Sequence, residues 1–233
     1  MSPLQPRYED LVAAIDDSPL ALGALAIGAG ETSAIVSAEA DTLLYAATGS
    51  GRLLRDGTER SLIERSATLV LAGEEATVEA DAELTLLVAT VGPDGDRHAP
   101  IGPRQDVAAI DGAGADNASG ARSFRILFGP HNGSTRATLF AGVIPPGKAP
   151  WHYHLYDEIV WIWRGPGRYH LGEEVEALED GSAFRITPRE VHIVENTHPE
   201  HELAVLGIFT PAGSPSAAYL TPDIAATYGF GSS

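Results

Sequence analysis

The sequence is decided at GKAPWHYHLYDEIVWIWRG, residues 147–165, and at ITPREVHIVEN, residues 186–196. The first stretch sets His152, His154 and Glu158 in one short run, and the second delivers His192 about a strand pair later. In an extended chain, side chains two residues apart point to the same face. The three residues share parity, so an extended run turns two imidazoles and a carboxylate to one side. A third imidazole brought from another strand completes a mononuclear metal site. Tyr156 has the same parity and is a candidate catalytic residue in the pocket, able to hydrogen-bond a substrate. Tyr153, Asp157, Ile159, Trp161 and Trp163 have the opposite parity and face away. The two tryptophans are then expected to pack against another sheet, module or subunit.

Composition narrows the partners. Fifteen Lys and Arg against 32 Asp and Glu give a formal net charge of -17, which repels nucleic acid and anionic membrane. A hydrophobic fraction of 44% is enough for a proper core. With no cysteine in the chain, disulfides and thiolate sites are excluded, and any metal is held by nitrogen and oxygen. The first residues, MSPLQPRYEDLVAAIDDSPL, are acidic and lack the pattern of a leader. LALGALAIGAG at 20–30 is too short and glycine-rich to span a bilayer. A soluble cytoplasmic protein is the expectation.

Along the chain, residues 7–16 (RYEDLVAAID) suggest one short amphipathic helix, ended by Ser18-Pro19. From about residue 23, short runs rich in Leu, Val, Ile and Thr recur at close intervals, the pattern of an all-β sandwich or barrel. Residues 93–121 are rich in Gly, Pro, Ala and Asp without sustained period, and read as a linker with room for one helical turn. So long a structureless stretch argues for a domain boundary. The expected division is an N-terminal segment at 1–22, a barrel at 23–92, the linker, a barrel at 122–211 and a tail at 212–233.

The two halves repeat. DTLLYAATGSGR at 41–52 lies over DEIVWIWRGPGR at 157–168, sharing the aspartate, the apolar run, the G-x-G and the arginine. ERSATLVLAGEEATV at 64–78 lies over EDGSAFRITPREVHI at 179–193. In this alignment Val36, Ala38, Thr42 and Thr77 stand opposite His152, His154, Glu158 and His192, and none is a useful ligand.

These motifs resemble a known family. Gly147, His152, His154, Glu158 and Gly165 resemble the first cupin motif, and Gly181, Pro188, His192 and Asn196 resemble the second. One residue fewer than usual separates Gly147 from His152. In the second motif the glycine after the proline is replaced, with Glu190 in its place, and Pro188 to His192 is one residue short. The resemblance implies a bicupin: two tandem jelly-roll β-barrels, the N-terminal one degenerate and without metal, the C-terminal one holding one divalent transition metal per chain. Three imidazoles and a carboxylate suit iron, manganese, nickel and zinc almost equally. For proteins similar to this, dioxygenation is the commonest expected chemistry on a small oxygen-rich metabolite. Decarboxylation, isomerisation and amidohydrolysis are alternatives, the last as in the ureidoglycine aminohydrolase arrangement. A non-catalytic binding cupin is the reading from another class.

Further residues invite roles. Arg185 interrupts the apolar run SAFRITP and is a candidate to hold a substrate carboxylate in a bidentate pair, against a plain salt bridge at the barrel surface. Arg125 and Arg136 raise the same question. Asn196 is expected to stabilise the turn or a ligand, Glu195 to face solvent, and His198 and His201 to form a solvated rim. His98, His131 and His170 have no companions in sequence. The tryptophan stripe makes a homodimer the expected assembly.

Overall fold

The computed structural model describes residues 6–95, 99–112, 114, 116–117 and 122–220. The described residues form short strands and one 3-10 turn. The first half contributes β1 (Arg7–Val12), β2 (Leu20–Ile27), β3 (Thr32–Val36), β4 (Asp41–Thr48), β5 (Ser50–Arg55), β6 (Thr58–Ile63), β7 (Ser66–Val70), β8 (Glu75–Ala80) and β9 (Leu84–Val91). Between the halves come β10 (Val107–Ala109), the turn Ile110–Gly112 and β11 (Asp116–Asn117). The second half opens with β12 (Ser123–Phe128), β13 (Thr138–Ile144), β14 (Gly147–Lys148), β15 (His152–His154) and β16 (Asp157–Arg164). It continues through β17 (Gly167–Leu171), β18 (Glu174–Leu178), β19 (Ala183–Ile186), β20 (His192–Asn196), β21 (Leu203–Thr210) and β22 (Ala218–Leu220).

The strands form two sheets per half, and the pairing repeats. In the first half, β2-β9-β4-β7 lies within one sheet and β3-β8-β5-β6 forms the other. In the second half, β13-β21-β16-β19 and β15-β20-β17-β18 take the corresponding orders. Even the irregularities match: β4 slips register between Ala46 and Thr48, and β16 slips between Ile162 and Arg164. Both halves are therefore jelly-roll barrels of one design.

The interiors differ in what fills them. The first barrel is closed by apolar side chains such as Ile35, Leu44, Leu53, Val78 and Leu86. Here the sequence alignment is corrected by one position. Ile35 and Ala76 pair across the strands and are buried, whereas Val36 is exposed and Thr77 lies on the outward parity. A one-residue offset exchanges the faces of a strand, so the interior counterparts of His152 and His192 are Ile35 and Ala76. In the second barrel, Ile144, Val160, Ile162, Leu203 and Val205 fill one end, leaving the other for the polar cluster described below.

The largest apolar core lies between the barrels. It joins Leu43, Tyr45, Leu87 and Ala89 of the first to Leu139, Ile159, Leu206 and Ile208 of the second. Trp161 and Trp163 pack against this core, so the tryptophan face expected to need a partner is covered by the first barrel. The argument from these tryptophans to a second copy falls away.

Two arginines fasten the contact. Arg136 donates to the carbonyl oxygen of Glu39 at 2.6 Å and lies 3.6 Å from the buried Asp41 carboxylate. Arg185 bonds Asp157, donates to Ser18 Oγ at 3.0 Å, and reaches the carbonyl oxygens of Ala13 at 2.9 Å and Leu20 at 2.6 Å. Asp41 and Asp157 are the aspartates shared by the repeat, so each barrel offers the same carboxylate to the joint.

The helix expected at residues 7–16 is not formed. Arg7–Val12 is an edge strand on β2, in register from Arg7 opposite Ala26 to Asp10 opposite Gly23. A helix this short is marginal in water. The open edge of β2 offers a ladder instead, and Tyr8 lies across Gly23, where a Cβ would sit 2.2 Å from its hydroxyl. Within the expected linker, β10 joins β7, and Asp106 bonds Arg55 at 2.5 Å and Arg60 at 2.9 Å. Residues 96–98 (His98 among them), 113, 115 and 118–121 of the linker and residues 221–233 of the tail lie outside the described residues.

Removing one member of a buried ion pair leaves the other charge uncompensated, at a cost of about 3–5 kcal/mol. Asp157→Ala is expected to lower unfolding stability in urea by about that amount, and Arg185→Ala by a similar amount. The double variant is expected to lose clearly less than the sum of the two.

Candidate metal centre

The four expected ligands come from three strands in two sheets. β15 supplies His152 and His154, the chain bends at Leu155 and Tyr156, and β16 in the facing sheet supplies Glu158. The run is thus two strands rather than one, yet the parity of Glu158 still turns it inward. β20 brings His192 directly opposite His152. All four side chains are buried and line one cavity of about 80 Å³ in the second barrel. The His152 ring lies 4.4 Å from that of His192, and the His154 ring lies 5.1 Å from it. His154 Nε2 stands 3.0 Å from Glu158 Oε2.

Each imidazole is held by its other nitrogen. Nδ1 lies 2.9 Å from the Pro150 carbonyl oxygen in His152, 2.8 Å from that of Tyr156 in His154, and 2.9 Å from that of Glu190 in His192. A carbonyl only accepts, so Nδ1 donates in all three and Nε2 is the nitrogen turned to the cavity. Burial disfavours the charged form of two of the rings: it pushes His152 down to about 2, helped by His192 and Arg122 nearby, and it lowers His192 as well.

The surrounding residues explain the motif and its departures. Gly147 and Gly181 adopt φ of 111° and 86°, in the left-handed region. In the shortened second motif the left-handed position falls on Arg189, at φ 69°, whose amide donates to the His154 carbonyl oxygen at 2.7 Å. Glu190 closes the turn by accepting from Thr187 N at 2.8 Å and from Tyr169 Oη at 3.0 Å, while its carbonyl steadies His192. Asn196 donates to the carbonyl oxygens of Ile144 and His201, each at 2.8 Å, tying down the turn as its place in the motif implies.

Tyr156 lines the cavity, but mainly as a platform. Its ring stacks on His154 at 4.0 Å and on Phe209 at 4.0 Å, and its hydroxyl points to the Pro215 carbonyl oxygen 3.4 Å away. Burial, then the neighbouring Glu158, raise its pKa well above the ordinary phenol value. Arg185 does not line the cavity. Its guanidinium is engaged at the joint between the barrels, which corrects the catalytic role entertained for it. Glu195 and His170 are partners at 2.6 Å on the outward face of β17 and β20, and the rings of His198 and His201 meet 4.5 Å apart in a rim loop.

Two residues escaped the sequence reading. Arg122 lines the cavity, with Nη1 3.4 Å from His152 Nε2. It sits at the edge of a composition-biased stretch, where no pattern marks it. Gly207 lies beneath the cluster, where a Cβ would come within 2.2 Å of the Phe140 ring and 2.9 Å of Glu158 Oε1. A lone glycine in the apolar strand LAVLGIFT was a visible signal of such an approach.

The donor set suits a metal of the nitrogen-and-oxygen class. His154 Nε2 is buried with no hydrogen-bond partner, an atom that a cation would satisfy. Imidazoles fixed through Nδ1 on carbonyls are the usual arrangement around a bound metal. Among the described residues, no trio of His, Asp or Glu is closed into a finished metal-holding group. His152 Nε2 faces Arg122 instead. The donors are gathered and oriented, and the residues fit the ion in chemistry.

Residues 140–209 match a family model described as Cupin domain, a range running from β13 through β21. No curated protein matches the chain by sequence. Among solved structures, AerE from Microcystis aeruginosa is 12% identical over 90% of this chain and 95% of its own, with a TM-score of 0.71. A structure of oxalate decarboxylase from Bacillus subtilis, described by its Mn(II) centres, is 13% identical over 97% of this chain and 80% of its own, with a TM-score of 0.72. A cupin 2 conserved barrel domain protein from Leptotrichia buccalis is 12% identical over 88% and 89%, with a TM-score of 0.62. At such identities the likeness is one of fold. Among the described residues no helix is long and apolar enough to cross a membrane.

If Tyr156 serves as the platform under His154, Tyr156→Phe keeps the stack and changes transition-metal affinity little. Tyr156→Ala frees the ring and is expected to weaken that affinity about 10–100-fold, read by chelator competition.

Proposed function

From the match of residues 140–209 to a cupin domain, which falls in the C-terminal barrel, we propose a mononuclear metal-dependent enzyme acting on a small molecule. One observation carries the reading. Three imidazoles are fixed through Nδ1 with Nε2 turned to the cavity beside a buried carboxylate, and the Nε2 of His154, 3.0 Å from Glu158 Oε2, makes no hydrogen bond. His152, His154, Glu158 and His192 would hold one divalent ion, and four protein ligands leave positions open for substrate in a six-coordinate ion. When bound, the metal supplies Lewis acidity toward a substrate oxygen, and a redox-active ion adds dioxygen chemistry.

The protein's own groups prepare the rest. Aliphatic and aromatic walls limit water in the cavity, which strengthens every polar contact inside it. Tyr156 and Glu190 hold the orientation of His154 and His192, and Gly207 leaves room for Glu158. A dioxygenase-type oxidoreductase remains the favoured reaction. The fold likeness to an oxalate decarboxylase with Mn(II) centres supports decarboxylation as the second reading.

Elemental analysis of protein prepared without affinity nickel is expected to find close to one transition-metal ion per chain. The double variant His152→Ala with His192→Ala is expected to lose it and to lose the metal-dependent part of the thermal stability. Iron with substrate-dependent oxygen uptake supports dioxygenation; manganese with release of carbon dioxide supports decarboxylation. A metal-free protein whose melting temperature is unmoved by the double substitution would sink the proposal.

A further inference from the structure

We propose a second ligand site outside the metal cavity: the cleft between the barrels beside Arg65 and Arg125 binds the phosphoryl group of a small molecule. This goes beyond the metal reading and does not rest on it.

The cleft has a volume of about 270 Å³ and draws its walls from both halves of the chain. Arg65 comes from the turn between β6 and β7, and Ile110 from the 3-10 turn that follows β10. Facing them are Arg125 of β12, Val143 of β13 and Trp163 of β16. Two guanidiniums therefore border one space, in a chain whose formal net charge is -17.

Other arginines of the fold are spent on internal carboxylates. Arg55 pairs with Asp106, Arg104 with Glu74, Arg136 with Asp41 and Arg185 with Asp157. Arg125 differs from them. Among the described residues no carboxylate pairs with it, and its Nε is buried without a hydrogen-bond partner. Arg65 Nε is also buried and unpartnered, and its ion pair is a long one, 3.8 Å to the exposed Asp111. Glu202, the carboxylate in the lining, is exposed. Two half-covered cations without a close counter-charge are held at a cost, and an anion in the cleft would offset it. Arg65 is also preset for this. Its guanidinium lies 4.7 Å over the Trp163 ring, a cation–π contact that carries it across the joint. Little side-chain freedom is then lost on binding.

The chemistry of the occupant follows from the donors. One guanidinium fork matches the two oxygens of one carboxylate. A phosphoryl group offers three oxygens and a charge of about -1.5 to -2, which suits two forks and two positive charges. Ser123 in the same lining adds a hydroxyl, and Ile110, Ala141 and Val143 give an apolar wall to the rest of the molecule. An uncharged ligand would leave both cations as they are.

The test titrates glycerol 3-phosphate, glycerol and succinate calorimetrically into the whole protein at constant ionic strength. Glycerol 3-phosphate is expected to bind about tenfold or more tightly than succinate, and glycerol not measurably. Arg125→Gln and Arg65→Gln are each expected to lower that affinity about tenfold or more, and Arg125→Lys to keep part of it. Without ligand, Arg125→Gln is expected to melt within about 2 °C of the unsubstituted protein, since it breaks no ion pair. If Arg125→Gln does not fold, Arg65→Gln on the other side of the joint gives the reading. No binding of glycerol 3-phosphate, equal binding of succinate, or an affinity unchanged in both glutamine variants each overturns the inference. A large loss of melting temperature without ligand in both variants also overturns it, because the arginines then serve internal partners. The double variant His152→Ala with His192→Ala is expected to bind glycerol 3-phosphate as before. Binding lost there but kept in Arg125→Gln puts the phosphate on the metal, which overturns this inference and leaves the metal reading standing. A metal-free protein that binds glycerol 3-phosphate through Arg125 overturns the metal reading alone.

Discussion

The structure depends on β16 being buried on both faces. Its outward residues, Ile159 and Trp161, belong to the core between the barrels, while Glu158, Val160 and Ile162 face into the second barrel. An antiparallel strand usually has one face in water, and this one has most of both faces covered. The same backbone that anchors the interface therefore fixes the depth of the Glu158 carboxylate in the cavity. Asp157, the strand's first residue, is held by Ser18 at 2.6 Å and by Arg185, which also holds the N-terminal segment. Movement between the barrels would be transmitted to Glu158 through its immediate neighbour.

This gives the first barrel a physical role that does not require chemistry of its own. Its interior is filled by aliphatic side chains, and its outer face supplies the wall against which β16, β21 and β13 pack. The repeat makes the arrangement nearly symmetric, with Arg136 near Asp41 on one side and Arg185 on Asp157 on the other. Symmetry ends at the interior, where Ile35 and Ala76 face each other in one barrel and His152 and His192 in the other.

Much of this was legible because strand parity is a two-state property. Once one of His152, His154 and Glu158 is taken to face inward, the facing of Tyr156, Asp157, Trp161 and Trp163 follows, and the structure agrees even across the bend at Leu155. Parity could not identify what covers the outward face, and of the sheet, module or subunit that the tryptophans called for, it is the chain's own first barrel that stands there. Arg185 was ambiguous for a related reason: an arginine in an apolar strand signals a buried partner without naming it, and its partners lie as far off as Ala13 and Leu20. The helix expected near Tyr8 failed because six to ten amphipathic residues fit either period, and the deciding factor was the unpaired edge of β2. Register across the repeat failed by one residue at Val36 and Thr77, since similarity of composition does not fix which face a short strand presents.

The least conspicuous contributor to the site is the stretch after the last barrel strand. β15 carries two of the three imidazoles, yet it is three residues long and meets β20 in register only at His152. Its other edge is paired along its whole length by β22, with His152 opposite Leu220, Tyr153 opposite Tyr219 and His154 opposite Ala218. The stacking of Tyr153 on Tyr219 at 5.4 Å reinforces that pairing, and Pro215 and Ala218 complete the lining of the cavity. A strand so short has little intrinsic persistence. The placement of two candidate donors therefore rests on a segment that composition assigned to the tail.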